Sequence, residues 1–146
     1  MQSFMLSDEL KSYIGLAPQA FSGSTAVPGT GIQREYQNEG FNAVLIVLNV
    51  GAVTGTPTSF TLTVIIQDSA DNSSFATYTP PAWEGAASLV GSAAATIYQL
   101  AVDLRGARQY VRVQLTPSFS GGTTPGATAD VVLVAGRASV KPAASY

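Results

Sequence analysis

From residue 41 onward the apolar positions fall into short runs, each closed by Gly, Pro, Asn, Asp or Ser. Phe60 to Gln67 alternates, with Phe60, Leu62, Val64 and Ile66 on one face and Thr61, Thr63, Ile65 and Gln67 on the other. Gln109 to Thr116 sets Val111, Val113 and Leu115 against Tyr110, Arg112 and Gln114, and Thr96 to Leu104 collects Tyr98, Leu100, Val102 and Leu104 on one side. Phe41 to Val50 is almost continuously apolar, the pattern of a strand covered on both faces. Ala127 to Ala135 is the last strand, while Gly31 to Asn38 and Phe75 to Thr79 are weaker ones. Residues 51–57 and 68–74 are turns; Pro80 opens a long loop through Trp83 to Gly91, and Pro117 to Gly126 is another loop. About seven or eight short strands without an interior helix predict an all-β fold, a jelly-roll-like β-sandwich, with an immunoglobulin-like sandwich as the alternative.

Residues 1–31 read differently and are expected to form an extended N-terminal arm, leaving residues 32–146 as the sandwich domain. Phe4, Met5, Leu6, Leu10, Tyr13, Ile14 and Leu16 fit one short amphipathic helix from about Ser7, whose hydroxyl would cap it, with Asp8 and Glu9 in the first turn. Pro18 and the glycines from Gly23 to Gly31 would stop any regular element. The scattered large apolar side chains, Phe4, Leu6, Leu10 and Tyr13 among them, favour an arm that orders against a partner.

Composition narrows the chemistry. The 146 residues contain no histidine and no cysteine, and only 11% are charged, with a net charge of −2. Hydrolysis by a serine triad lacks its histidine base, and the glycine-rich stretch from Gly23 to Gly31 has no lysine to serve as a phosphate loop. Glu35 and Glu39 are a weak glycosidase pair. An enzyme is not expected, nor is a cofactor. A calcium site at Asp68, Asp71 and Asn72 lacks a closing glutamate, so a turn bonded to its own backbone is the better reading. Asp103, Arg105 and Arg108 are expected to pair around the turn at residues 104–107. The charge balance carries no footprint for nucleic acid. The opening residues lack a signal-peptide pattern, and the longest apolar run, Ala43 to Leu48, is far short of the ~20 residues needed to span a bilayer. A protein made in the cytoplasm, with no membrane partner, is therefore expected.

Desolvating hydroxyl-rich or apolar surface costs less than desolvating ions, so a chain this poor in charge suits an assembling building block. Tyr110 and Arg112 share the polar face of one strand, where Arg112 is either a solvent-facing strand arginine or, with Tyr110, part of a docking face, being residue types favoured at interface centres. Tyr78 and Trp83 flank a proline pair; Trp83 either caps the end of the core or forms, with Tyr78, an exposed aromatic patch for a protein or a sugar ring.

The second half carries a sequence of parts: Gln67-Asp68-Ser69-Ala70-Asp71-Asn72-Ser73-Ser74-Phe75, then Arg108-Gln109-Tyr110-Val111-Arg112-Val113-Gln114-Leu115, then Gly121-Gly122-Thr123-Thr124-Pro125 and a closing Val131-Val132-Leu133-Val134-Ala135-Gly136 strand. In order and spacing, residues 59–136 resemble small virion proteins of tailed phages. The resemblance implies a head decoration (cement) protein, often a homotrimer, bound to the major capsid protein on the outer capsid surface of the virion. A carbohydrate-binding host-attachment ornament and a tail or baseplate structural protein are the alternatives.

Overall fold

The computed structural model describes residues 10–36, 39–80 and 88–136, and no helix occurs among them. The strands are β1 (Leu10–Ser22), β2 (Val27–Pro28), β3 (Ile32–Gln33), β4 (Glu35–Tyr36), β5 (Glu39–Gly40), β6 (Ala43–Thr54), β7 (Ser59–Ser69), β8 (Ala76–Thr77), β9 (Ser88–Gly91), β10 (Thr96–Asp103), β11 (Tyr110–Ser120) and β12 (Gly126–Gly136). The first sheet runs β1-β12-β6-β10. The second runs β2-β11-β7-β8, with β3 also on β11 and β9 also on β7; every pairing is antiparallel. Taking β2 with β3, and β8 with β9, as interrupted single strands gives nested pairs: first with last, second with next-to-last, and so inward. That wrapping is a jelly roll, not the strand order of an immunoglobulin-like sandwich.

Alternation along the strands builds the core between the sheets. Val44, Ile46, Leu48 and Val50 of β6 point inward beside Val131 and Leu133 of β12, facing Leu62, Val64 and Ile66 of β7 and Val111, Val113 and Leu115 of β11. All are essentially buried. The inward faces read from the sequence for Phe60 to Gln67, Thr96 to Leu104 and Gln109 to Thr116 are the faces that pack inward.

The helix expected from Ser7 does not form over the described residues. Leu10–Ser22 is the edge strand of the first sheet, and residues 1–9 lie outside the described residues. Two register shifts, at Gly15 and between Leu16 and Gln19, explain the misleading pattern. Each bulge resets the two-residue period. Tyr13, Leu16 and Phe21, spaced by three and five, therefore all lie on the core side, opposite Leu133, Val131 and Ala127. Pro18 is tolerated because an edge strand can forgo a ladder bond. The sandwich thus begins by Leu10 rather than at residue 32, and Leu16 and Phe21 belong to its core.

Two glycine positions hold the ends of the roll together. Gly29 N donates to Val113 O (2.7 Å) and Thr30 N to Gly15 O (3.2 Å), tying β1 of one sheet to β11 of the other. A Cβ on Gly29 would run into the Gly15 carbonyl, so only glycine permits this approach. At the opposite end the Gly121-Gly122-Thr123 motif packs on the β6–β7 turn, where Thr123 N donates to Gly55 O (2.8 Å) and Gly55 and Gly122 have φ of 75° and 78°. Two further strand stretches escaped the sequence pattern. β9 lies within the loop expected after Pro80, and β11 continues past Pro117 to Ser120, beyond the last residue at which β2 pairs with it.

Leu48, fully buried at the centre of β6, decides how firmly the sheets hold. Leu48→Ala should lower the unfolding free energy by about 2–5 kcal/mol in urea denaturation. Gln99→Ala, on the exposed face of β10, should change it by less than about 0.5 kcal/mol.

Candidate functional site

The residues singled out for contact with a partner do not converge on one surface. Tyr110 and Arg112 do share the outer face of the second sheet. Tyr110 lies between Ser69 on β7 and Gln33 on β3, and Arg112 lies opposite Gln67. Arg112 is engaged within its own chain: Nε donates to Gln67 Oε1 at 2.8 Å, and its guanidinium carbon stands 4.1 Å from the centre of the Phe75 ring. This cation–π contact fastens the turn after β7 onto the sheet. Around the pair the outer face carries Thr61, Thr63, Gln114 and Thr116, interrupted by Ile65 and by the exposed Val90 of β9.

Tyr78 does not belong to an exposed aromatic patch. Its ring is buried and its hydroxyl donates to Asp103 O at 2.7 Å. Burial pushes the phenol above its ordinary pKa. Tyr13 packs on the core rim with its ring 6.0 Å from Phe41 and the Lys11 ammonium 5.4 Å from its centre. Leu10 begins β1 at the edge of the first sheet, partly exposed. Phe4, Leu6 and Trp83 lie outside the described residues.

The acidic residues fall into separate roles. Asp71 folds the turn after β7: its Oδ1 accepts from Ser73 N (2.9 Å), Ser74 N (2.9 Å) and the Ser69 hydroxyl (2.8 Å). Those donors, the Ser74 amide foremost, hold its pKa down to about 2. Asn72 takes the left-handed conformation this turn requires, with φ 59°. Asp68 instead faces Arg108, accepting from its backbone N (3.0 Å) and from its guanidinium (3.1 Å). Burial pulls the Asp68 pKa up, and the Arg108 hydrogen bonds and charge outweigh it, leaving the carboxyl below its usual value. Asp103 grips Arg105 through Nε and Nη2, and that contact is the first cause of its lowered pKa. The expected ion pairing around residues 104–107 is therefore present, with Asp68 recruited as Arg108's partner.

Arg34 was missed by pattern reading. It is buried, and its guanidinium donates to the carbonyls of Ala107 (2.8 Å), Arg108 (3.1 Å) and Phe41 (3.4 Å). The side chain thereby clamps the β10–β11 turn to the segment entering β6. A lone arginine between Gln33 and Glu35 in a weak strand gives no pattern that separates a buried clamp from a solvated charge.

On the outer face of the first sheet, Pro18, Gln19, Asn49, Gly51, Thr128 and Asp130 line a shallow hollow of about 180 Å³, where Asn49 Nδ2 donates to Asp130 Oδ2 at 3.3 Å. Among the described residues no group of three or more His, Cys, Asp or Glu is placed to hold a metal ion, and no helix is long and apolar enough to cross a membrane.

No family model matches the chain, and no curated protein sequence does either. Among solved structures, a chain in the structure of infectious bursal disease virus, Gx strain, is similar in fold, with a TM-score of 0.51 and 12% identity. The likeness takes in 92% of this chain and 34% of that one, so this chain spans about a third of its neighbour's length. At that identity the two share a fold class, the two-sheet antiparallel sandwich.

The lowered carboxyl pKa values set an acid limit on stability. A carboxyl whose folded pKa lies below its unfolded one contributes fully above the unfolded value and loses the contribution as pH falls through the folded value. With Asp71 moved from 3.8 to about 2, and Asp68 and Asp103 also lowered, the denaturation midpoint should hold from neutrality to about pH 5 and then fall toward pH 2. Asp71→Asn should make that acid decline shallower; an unchanged slope would show that the turn carboxylate is not linked to folding.

Proposed function

We propose that this chain is a structural protein of a virion: a decoration protein that binds the major capsid protein on the outer surface of a tailed-phage head and stabilises the shell. The observation that carries the reading is the fold. The chain is a jelly-roll sandwich similar to a chain of a virus structure over 92% of its length, and its residues 59–136 resemble small tailed-phage virion proteins in the order of their parts. Its low charge supports the same reading, because surfaces that carry few ions are cheaply desolvated on assembly. In this role the protein is not an enzyme, and a homotrimer is the assembly state the role favours.

The mechanism is mass action. A protein that binds the assembled shell and not its separated parts stabilises the shell by RT ln(1 + [L]/Kd), about 2.7 kcal/mol per site when its concentration is 100 times Kd. Several attachment points on one ornament multiply modest contacts into firm binding. Tyr110 and the outer face of the second sheet, mostly polar but with Ile65 and Val90 on it, are the surface proposed to meet the shell.

Virions stripped of this protein should release their DNA at a lower temperature than intact ones, and adding back the purified chain should restore the original value. Equal heat resistance of stripped and intact particles would remove the cementing role. Labelled protein found on tails by electron microscopy would move the chain to the tail or baseplate.

A further inference from the structure

A sheet edge presents a row of unpaired backbone N–H and C=O groups, and folded chains blunt it with proline, bulges, charge or brevity. Among the described residues, three of the four edges of the two main sheets are blunted. On the first sheet β1 carries Lys11, Pro18 and two register shifts. On the second, β2 and β3 are two residues each along one side, and β8 and β9 are two and four residues along the other. β10 is the exception. It runs eight residues, Thr96–Asp103, in unbroken register with β6, and no described strand pairs with its other side. It has no proline and no charge before Asp103. Its apolar side chains are left uncovered on both faces. Tyr98 and Leu100 are only partly buried against the core, and Ile97 on the outer face is 62% exposed.

We infer that β10 receives an extended segment of the shell protein as an added strand. The inference rests on the virion reading and names the contact by which the chain holds the shell. The class of occupant follows from the edge itself: donors and acceptors repeating along an extended strand are matched by another extended backbone. Tyr98 and Leu100 on one face, and Ile97 and Ala101 on the other, supply the apolar contacts that an added strand covers. Position favours the shell as its source. β10 lies against β9, where Ser92 N donates to the Tyr98 hydroxyl at 3.1 Å and a Cβ on Gly91 would meet the Tyr98 ring at 3.1 Å. β9 also carries the exposed Val90, on the face proposed to meet the shell, so the edge continues that surface. A second copy could answer only with its own β10, since its other edges are blunted. That twofold pairing closes at two chains, short of the proposed trimer.

Capsid shells stripped of this protein and mixed with the full chain test both steps. The wild-type chain should sediment with the shells. Ile97→Lys combined with Ala101→Lys, which charges the edge, should weaken binding about tenfold or more. The double variant should keep the wild-type thermal midpoint and mass in solution, and Ser24→Lys, in the exposed turn after β1, should bind as the wild type does. On the shell, alternate amides of residues 96–103, those turned away from β6, should gain protection from hydrogen exchange. A wild-type chain that ignores the shells would overturn the virion reading and this contact together. Binding that the double substitution leaves intact, equal weakening by Ser24→Lys, or bound β10 amides exchanging as in the free chain would overturn the contact alone. A changed mass would assign the edge to a second copy, and a lowered midpoint would assign it to the chain itself; either result overturns the inference.

Discussion

Everything in this molecule depends on two flat rows of aliphatic side chains closing on each other. The inner rows of β6 and β12 meet those of β7 and β11, and Leu48, Val64, Val113 and Val131 are sealed between them. Residues with so little remaining exposure pack at the density of an organic crystal, where losing a few methylenes is felt. Because side chains on a strand alternate strictly, committing one row to the core commits the other to the outside. The outer faces of both sheets, and with them whatever this protein touches, are thus consequences of the inner packing.

The closing of the roll is a matter of backbone, not of side chains. Strand β1 lies along β12, so the start of the described chain pairs with its end. Gly29 then lets the following segment pass close enough to bond both β1 and β11. At the other end, the Gly121-Gly122-Thr123 motif locks the β11–β12 turn to the β6–β7 turn. At the start of β11, Arg34 and Tyr78 hold the β10–β11 turn by its carbonyls, directly or through Asp103. Buried polar groups of this kind stabilise only when fully satisfied, and that satisfaction specifies one arrangement.

The long central strands were legible because their periods are clean: β7, β10 and β11 alternate over eight or more residues and the inward faces follow directly. β1 was not, because two bulges rewrote its period into one that imitates a helix. β9 is four residues long within a glycine- and proline-bounded stretch, too short to show a period. Among the site residues, the shared face of Tyr110 and Arg112 follows from alternation, but the capture of Arg112 by Phe75 and Gln67 depends on a turn folding back across the sheet. Tyr78 and Arg34 were opaque for the same reason: whether a ring or a guanidinium next to a turn lies inside is decided by contacts more than twenty residues away in sequence.

Native-state amide hydrogen exchange tests the central claim, that residues 10–22 are the first strand of the roll and not a free arm. Amides of β1 that bond β12 should be protected well above the level of unstructured chain, and those of β6, β7, β11 and β12 should exchange only through global unfolding. Exchange across residues 10–22 at the rate of an unfolded peptide, with the rest of the sandwich protected, would contradict the account.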